Sequence, residues 1–261
     1  MKLTDNTILI TGGGTGIGRG LAEAFHALGN QVVISGRTQK SLNEVIAANP
    51  GMKSLTLDVG DPDNIRTFAH RVAKEFPKLN VLFNNAGMMR NEKLLNGAAQ
   101  HLEDAEETIT TNLLGPIRLT AELLPHLREQ PEAAIINVTS GLAFVPLAMT
   151  PTYCATKAAI HSYTESLRYQ LNDTKIEVKE LIPPYVATRL MGERQASDPN
   201  AMPLEAFIKE VMDIFKTQPT AHEIAVERVR PLRSAVEGGQ QKYEQFFNQF
   251  NAMMAAARPN G

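Results

Sequence analysis

A chain of 261 residues can bury a full core, and α/β folds often reach this size as one undivided domain. Its formal net charge of −2 and pI near 6.3 offer no electrostatic attraction to nucleic acid or an anionic membrane. The single cysteine, Cys154, excludes an internal disulfide and a multi-cysteine metal site, and the opening MKLTDNTILITGGG is neither a signal peptide nor a membrane span, so a soluble cytoplasmic protein is the expectation.

The first apolar run, TILIT at 7–11, is predicted to be a strand, and TGGGTGIG at 11–18 follows it directly. Glycines at 12, 16 and 18 permit a tight turn and close backbone approach, leaving amide N–H groups to face a phosphate at the start of the next helix. The order strand, glycine loop, helix gives TGxxxGxG the mechanics of a dinucleotide-binding turn. A glycine loop with no ligand is the alternative, and it leaves five glycines in seven positions without a purpose. A helical pattern over 17–29 leads to a second strand, QVVIS at 31–35, which ends in Gly36 and Arg37. An NAD-preferring protein often carries an acid near this point to bind the ribose diol. Its absence, with a guanidinium beside the gap and hydroxyls at Ser35 and Thr38, favours the 2′-phosphate of NADP over NAD. The rival reading is a solvated loop arginine.

Further along, a helix over 39–48 precedes a strand, SLTLDV at 54–59, whose terminal Asp58 and Val59 are placed to meet an adenine edge. Asp61 followed by Pro62 is an N-cap and first-turn pair for a helix over 62–76. NVLFNN at 80–85 ends in NNAG (84–87), which suits either backbone approach to a cofactor or a tight structural turn; both can hold. A long helical pattern spans 99–129, then AAIINVTS (133–140), a helix over 152–172, and IEVKELIP (176–183). Strict β-α alternation with near-continuous apolar strands predicts a Rossmann-type, doubly wound parallel sheet, α/β in class, with right-handed crossovers. Polar residues gather at the carboxyl ends of the strands, where such sheets bind ligands. Beyond 184 the pattern loosens: a proline-rich stretch at about 185–220 with a helix near 204–216 reads as a lid inserted into the single domain, 1–261. A helical tail at about 231–256, broken near Gly238–Gly239, follows, and the last few residues are expected to be disordered.

Within TPTYCATK (150–157), Tyr153 and Lys157 fall one helical turn apart on one face. A free phenol, with pKa near ~10, is a poor base at neutral pH. A neighbouring ammonium, with an oxidised nicotinamide close by, would favour the phenolate and lower that value. Ser140 at the end of its strand would add a hydrogen bond to a developing oxyanion.

Taken together, TGGGTGIG, NNAG, Asn112 in TNLLG, Ser140, Tyr153-x-x-x-Lys157 and PPYVAT (183–188) resemble the short-chain dehydrogenase/reductase family in its compact form, over about residues 5–190. The stretch 139–162 is similar to one branch of it, the oxidoreductases encoded in bacterial D-alanyl-lipoteichoic acid operons. The resemblance implies hydride transfer between NADP(H) and a carbonyl or alcohol of a small molecule. By that resemblance Tyr153 is the acid/base, Ser140 orients the carbonyl, Lys157 holds the ribose hydroxyls, and Asn112 anchors a water behind Lys157. It further implies cofactor contacts by Gly12, Thr15, Gly16, Ile17, Gly18, Arg37, Asp58, Val59, Asn85, Ala86, Gly87, Tyr153, Lys157, Pro183, Val186 and Thr188, the last meeting the nicotinamide carboxamide. Two departures stand out. Pro184 replaces a glycine usual before that threonine, removing an N–H. No C-terminal strand ending in paired glycines is evident after 220, which favours a homodimer through 99–129 and 152–172 over a tetramer.

Other residues are given ordinary roles. His101, His126 and His161 make no metal spacing and are read as packed or exposed, and Cys154 as a small buried filler. The run EDAEE (103–107) is read as lying near a helix N-terminus, where the macrodipole favours acids. Met88, Met89, Met191, Leu142, Phe144, Val145, Leu147 and Tyr185 divide evenly between an apolar substrate pocket and core. Two further functions stand as alternatives: a 3-ketoacyl carrier-protein reductase and a non-catalytic dinucleotide sensor.

Overall fold

The structure, a computed structural model, describes residues 1–96 and 98–256; the expected disorder of the last residues falls on 257–261, outside the described residues. Seven strands form one parallel sheet in the order β3-β2-β1-β4-β5-β6-β7. They are β1 (Thr7–Thr11), β2 (Gln31–Gly36), β3 (Lys53–Thr56), β4 (Leu79–Asn84), β5 (Ala133–Val138), β6 (Ile176–Ile182) and β7 (Glu223–Ala225). Successive strand residues point to opposite faces, so an unbroken apolar run is what a sheet covered on both sides requires. Ile8 and Ile10 join one core with Phe25, Val32 and Ile34, while Leu9 and Val33 join the other.

Helices α1 (Gly16–Ala27), α2 (Gln39–Ala48) and α8 (Leu204–Thr217) supply the first core; α3 (Pro62–Glu75), α5 (Gly115–Arg128) and α6 (Pro151–Gln170) supply the second. At the centre of the first, Phe25, Phe83 and Phe215 meet with ring centroids 5.4 to 6.3 Å apart, tilted or edge-on as ring quadrupoles prefer. Asp61 caps α3, accepting the N–H groups of Asp63 (2.9 Å) and Asn64 (3.1 Å). Asp61→Ala is expected to cost about 1 kcal/mol, read as a lower urea midpoint with an unchanged m-value; an unchanged midpoint would show that Pro62 alone starts this helix.

Two expectations are corrected, and one strand is added to those predicted. The strand predicted over 54–59 ends at Thr56. Asp58 and Val59 lie in the loop beyond, where Asn64 Oδ1 accepts the Asp58 N–H and Asp58 Oδ1 accepts that of Gly60, each at 2.9 Å. The helix predicted over 99–129 is two, α4 (Ala98–Ile109) and α5, joined by a π-helical turn at Thr110–Leu114. Pro116 has no N–H to return to the Asn112 carbonyl, and Gly115 donates to Thr110 five residues back, which widens the turn. A strand does exist after 220. β7 pairs with β6, and Ile224 is fully buried, but it does not end in glycines.

The segment after β6 carries an isolated bridge between Val186 and Met202 and the short helix α7 (Glu193–Ala196) before α8. After β7 come α9 (Arg230–Arg233), a short 3₁₀ turn and α10 (Gln240–Ala256). Among the described residues no helix is long and apolar enough to cross a membrane.

Candidate active site

The sheet's order reverses between β1 and β4, and the residues just beyond the carboxyl ends of the central strands surround the crevice there. The glycine loop forms its floor. Gly12 (φ +65°) and Gly16 (φ +53°) occupy the left-handed region, and a Cβ on Gly12 would lie 2.9 Å from Ala86 Cα. Thr15 precedes α1 with its side chain making no cap bond, so the helix's first N–H groups are left facing the crevice.

Thr11 ties this loop to the next strand end. Its hydroxyl donates to the Phe83 carbonyl (3.2 Å) and accepts the N–H groups of Asn85 and Ala86 (3.0 Å each), while Asn85 Nδ2 donates to the Thr11 carbonyl at 2.8 Å. Behind it, Asn84 Nδ2 donates to Thr120 Oγ1 (3.0 Å) and to Asn137 Oδ1 (2.8 Å), and Asn137 Nδ2 to Thr164 Oγ1 (2.9 Å). NNAG is thus a structural turn whose Asn85, Ala86 and Gly87 also line the crevice.

A cavity of about 370 Å³ is lined by Gly12, Thr15, Gly16, Ile17, Gly18, Arg37, Asn85, Ala86, Gly87, Ser140, Tyr153, Lys157, Pro183, Val186 and Thr188. A neighbouring one of about 250 Å³ takes in Ser35, Arg37, Thr38, Ser41, Asp58 and Val59. The structure therefore brings together every residue proposed from the sequence except Asn112, which lies behind the wall. Its Oδ1 accepts the Met88 N–H and its Nδ2 donates to the Met88 carbonyl, both at 2.8 Å.

The second cavity fits an adenosine 2′-phosphate on its own chemistry. Ser35 Oγ is buried with no hydrogen-bond partner among the described residues. Arg37 stands beside it, and α2 begins there with no side-chain cap. The EDAEE run is corrected here. Residues 103–107 fall in the later turns of α4, and Glu107 approaches Arg37 at 3.7 Å and Arg90 at 3.5 Å. Arg37 is well exposed, so this pair is weak and easily given up.

Ser140, Tyr153 and Lys157 are buried together (7 %, 7 % and 5 % exposed). Ser140 lies beside the phenol, and Ser140 Oγ accepts the Leu142 N–H at 3.1 Å. Lys157 Nζ donates to the Val138 carbonyl at 2.7 Å and lies 5.6 Å from the Tyr153 ring centroid. Burial pushes the phenol well above its ordinary value, with the Ser140 hydroxyl opposing. Burial pulls Lys157 down to about 8, with the Glu180 carboxylate opposing. The protein's own residues thus leave the phenol high and the lysine low, because both groups are desolvated; the lowering expected from the ammonium together with an oxidised nicotinamide belongs to the loaded site.

Residues with no assigned role also join the site. Glu180, fully buried on β6, accepts Thr139 Oγ1 at 2.6 Å and pairs with His161 Nδ1 at 2.8 Å, which raises the imidazole's pKa. His161 is therefore an ion-pair partner as well as a packed ring. Gln195 donates to the Val186 carbonyl (2.8 Å) and to Thr188 Oγ1 (3.2 Å), holding the segment that faces Gly16. Of the apolar residues left between pocket and core, Met89, Leu142, Leu147 and Tyr185 line a third cavity beside Tyr153, Met88 lines the first two, and Val145 is core. Phe144 packs on His161 and Arg233 instead.

Residues 6–199 match the family described as short chain dehydrogenase. The uncharacterized oxidoreductase DltE of Bacillus subtilis (strain 168) is 42% identical over 254 residues, covering 96% of this chain and 98% of that protein. This agrees with the resemblance to that branch. Among solved structures, a short chain dehydrogenase of Burkholderia cenocepacia J2315 in complex with NADP superposes with a TM-score of 0.81 at 23% identity, over 95% of this chain and 99% of that one. A short chain dehydrogenase/reductase of Burkholderia phymatum in complex with NAD gives 0.79 at 19% identity, over 91% and 95%. At these identities the two structures speak to the fold alone.

Proposed function

The chain belongs to the short-chain dehydrogenase family, and from that premise we propose that it is an NADP(H)-dependent oxidoreductase interconverting a carbonyl compound and its alcohol, with Tyr153 as acid/base. One observation carries the reading: Ser140, Tyr153 and Lys157 share a buried wall of the cavity whose floor is the glycine loop. A bound dinucleotide would supply the hydride; what the protein supplies is a proton and a place for charge. Gly12, Gly16 and Gly18 would hold the pyrophosphate against α1, and Thr188 would meet the far ring. Tyr153 gives its proton to the substrate oxygen, Ser140 donates a hydrogen bond to the same oxygen, and Lys157 lies behind the phenol to stabilise the phenolate left.

The preference for NADP(H) over NAD(H) is supported by the unpartnered Ser35 hydroxyl and by Arg37. Arg37→Asp should lower the ratio of kcat/KM for NADPH over NADH by about 10- to 100-fold, the weight of a charge-assisted bond lost and a repulsion gained. An unchanged ratio, measured with one carbonyl substrate, would remove Arg37 from the cofactor site. For assembly, the reading is a homodimer through the outer faces of α4 to α6, where Leu102, Ile109 and Tyr169 stand exposed.

A further inference from the structure

Beside Ser140 and Tyr153 a smaller cavity of about 110 Å³ opens. Ser140, Tyr153, Pro183 and Leu190 line both it and the larger cavity, so the two spaces meet at the hydroxyls assigned to proton transfer. Among the described residues no acidic, basic or histidine side chain lines the smaller space. Its amide is turned to other work: Gln195 Nε2 bonds Val186 and Thr188, and its Oε1 accepts the Met191 N–H at 3.1 Å. The Tyr185 hydroxyl bonds Asp198 at 3.0 Å.

The outer wall comes from a distant part of the chain. Phe250 and Met254, four apart on α10, pack against Leu147, Tyr153 and Cys154. No residue of α10 is fully buried. The helix is clipped to the loop before α6 by Asn251, whose Nδ2 donates to the Pro146 carbonyl (3.1 Å) and whose Oδ1 accepts the Ala148 N–H (2.7 Å).

Resting on the hydride-transfer reading above, we propose that α10 is the specificity wall of this enzyme and that its substrate is an uncharged ketone or aldehyde bearing a short or branched aliphatic group. A carboxylate or ammonium entering this space would be desolvated without a partner. An apolar cavity of about 150 Å³ accepts benzene; this one is smaller, and the flat Phe250 ring in its wall narrows it, which favours a compact aliphatic group over a planar aryl one.

The test uses full-length protein labelled with ¹³C-methyl methionine and saturated with NADPH, titrated with the unreactive amides 3-methylbutanamide and benzamide. The Met89 and Met254 methyl resonances should shift saturably with 3-methylbutanamide and respond at least 10-fold more weakly to benzamide. Phe250→Ala should reverse that order and lower the kcat/KM ratio of 3-methyl-2-butanone over acetophenone by 10-fold or more, with NADPH affinity unchanged. Asn251→Ala should weaken both amides several-fold, again without touching NADPH affinity. Amide binding at Met254 with no turnover of any carbonyl would count against hydride transfer and leave the specificity wall standing. An unmoved Met254 resonance, or the same ranking in Phe250→Ala as in the parent, would overturn the wall itself.

Discussion

Tyr153→Phe is expected to lower kcat for carbonyl reduction by about 10²- to 10⁴-fold, the range of a positioned proton donor, with KM and NADPH affinity near those of the parent. The change removes one oxygen from a wall otherwise kept intact by Ser140 and Lys157, so binding survives while the proton is lost. A phenol held above its ordinary value by burial stays protonated across the neutral range and would serve as an acid, whereas alcohol oxidation would need the phenolate and should quicken as pH rises. Reduction should be level up to pH 8 and decline above it, because Lys157 gives up its charge near there and no longer stabilises the phenolate that proton donation leaves. Stopped-flow rates across pH 6 to 10 check both arms. Turnover by the phenylalanine form at the parent's rate would end the assignment of Tyr153.

The local parts of this site are legible in the chain, and the parts brought from afar are not. Tyr153 and Lys157 are one helical turn apart, and the glycine loop is bounded by its own strand and helix, so neighbours in sequence carry the pattern. The central strands β1, β2, β4 and β5 are readable because burial on both faces leaves them largely apolar runs. β7 has only three residues, and the chain entering it is held from β6 by Lys179, which donates to the carbonyls of Pro219 (2.8 Å) and Ala221 (2.9 Å) just before that strand. Phe250 and Met254 lie nearly a hundred residues beyond Tyr153, and their spacing marks a helix face without saying what it covers. Lys179 and Glu180 stand side by side in IEVKELI, and two charges inside a doubly covered strand must each find a buried partner. The desolvation of Tyr153 and Lys157 is hidden for a related reason, since the 3.6-residue repeat tells how close two groups lie and nothing about how dry they are.

Lys157→Met is expected to abolish nearly all turnover and to stabilise the fold at neutral pH. In the unfolded chain this lysine keeps its proton up to its ordinary value of 10.5; folded, it releases it near 8. Between those values unfolding takes up a proton, so this group makes stability rise with pH from 8 to 10.5, and below 8 its whole burial penalty stands. At about 1.4 kcal/mol per unit the penalty is about 3 kcal/mol; losing the bond to Val138 returns about 1 kcal/mol of it. Methionine removes the charge and roughly keeps the volume, and Glu180 retains Thr139 and His161 as partners, so no buried carboxylate is orphaned. The variant should therefore be more stable than the parent by about 1–3 kcal/mol at pH 7, with the gain shrinking towards pH 10. Tyr153 works the other way, costing stability above pH 10 as the unfolded phenol ionises, but it does so in both proteins and cancels in the difference. Urea midpoints for the pair at pH 7 and pH 10 decide the matter. A variant less stable than its parent at both would mean that the Val138 bond and the Glu180 field outweigh desolvation. A gain confined to neutral pH would identify Lys157 as a cation held in a dry site at the expense of the fold, for the chemistry of its neighbour.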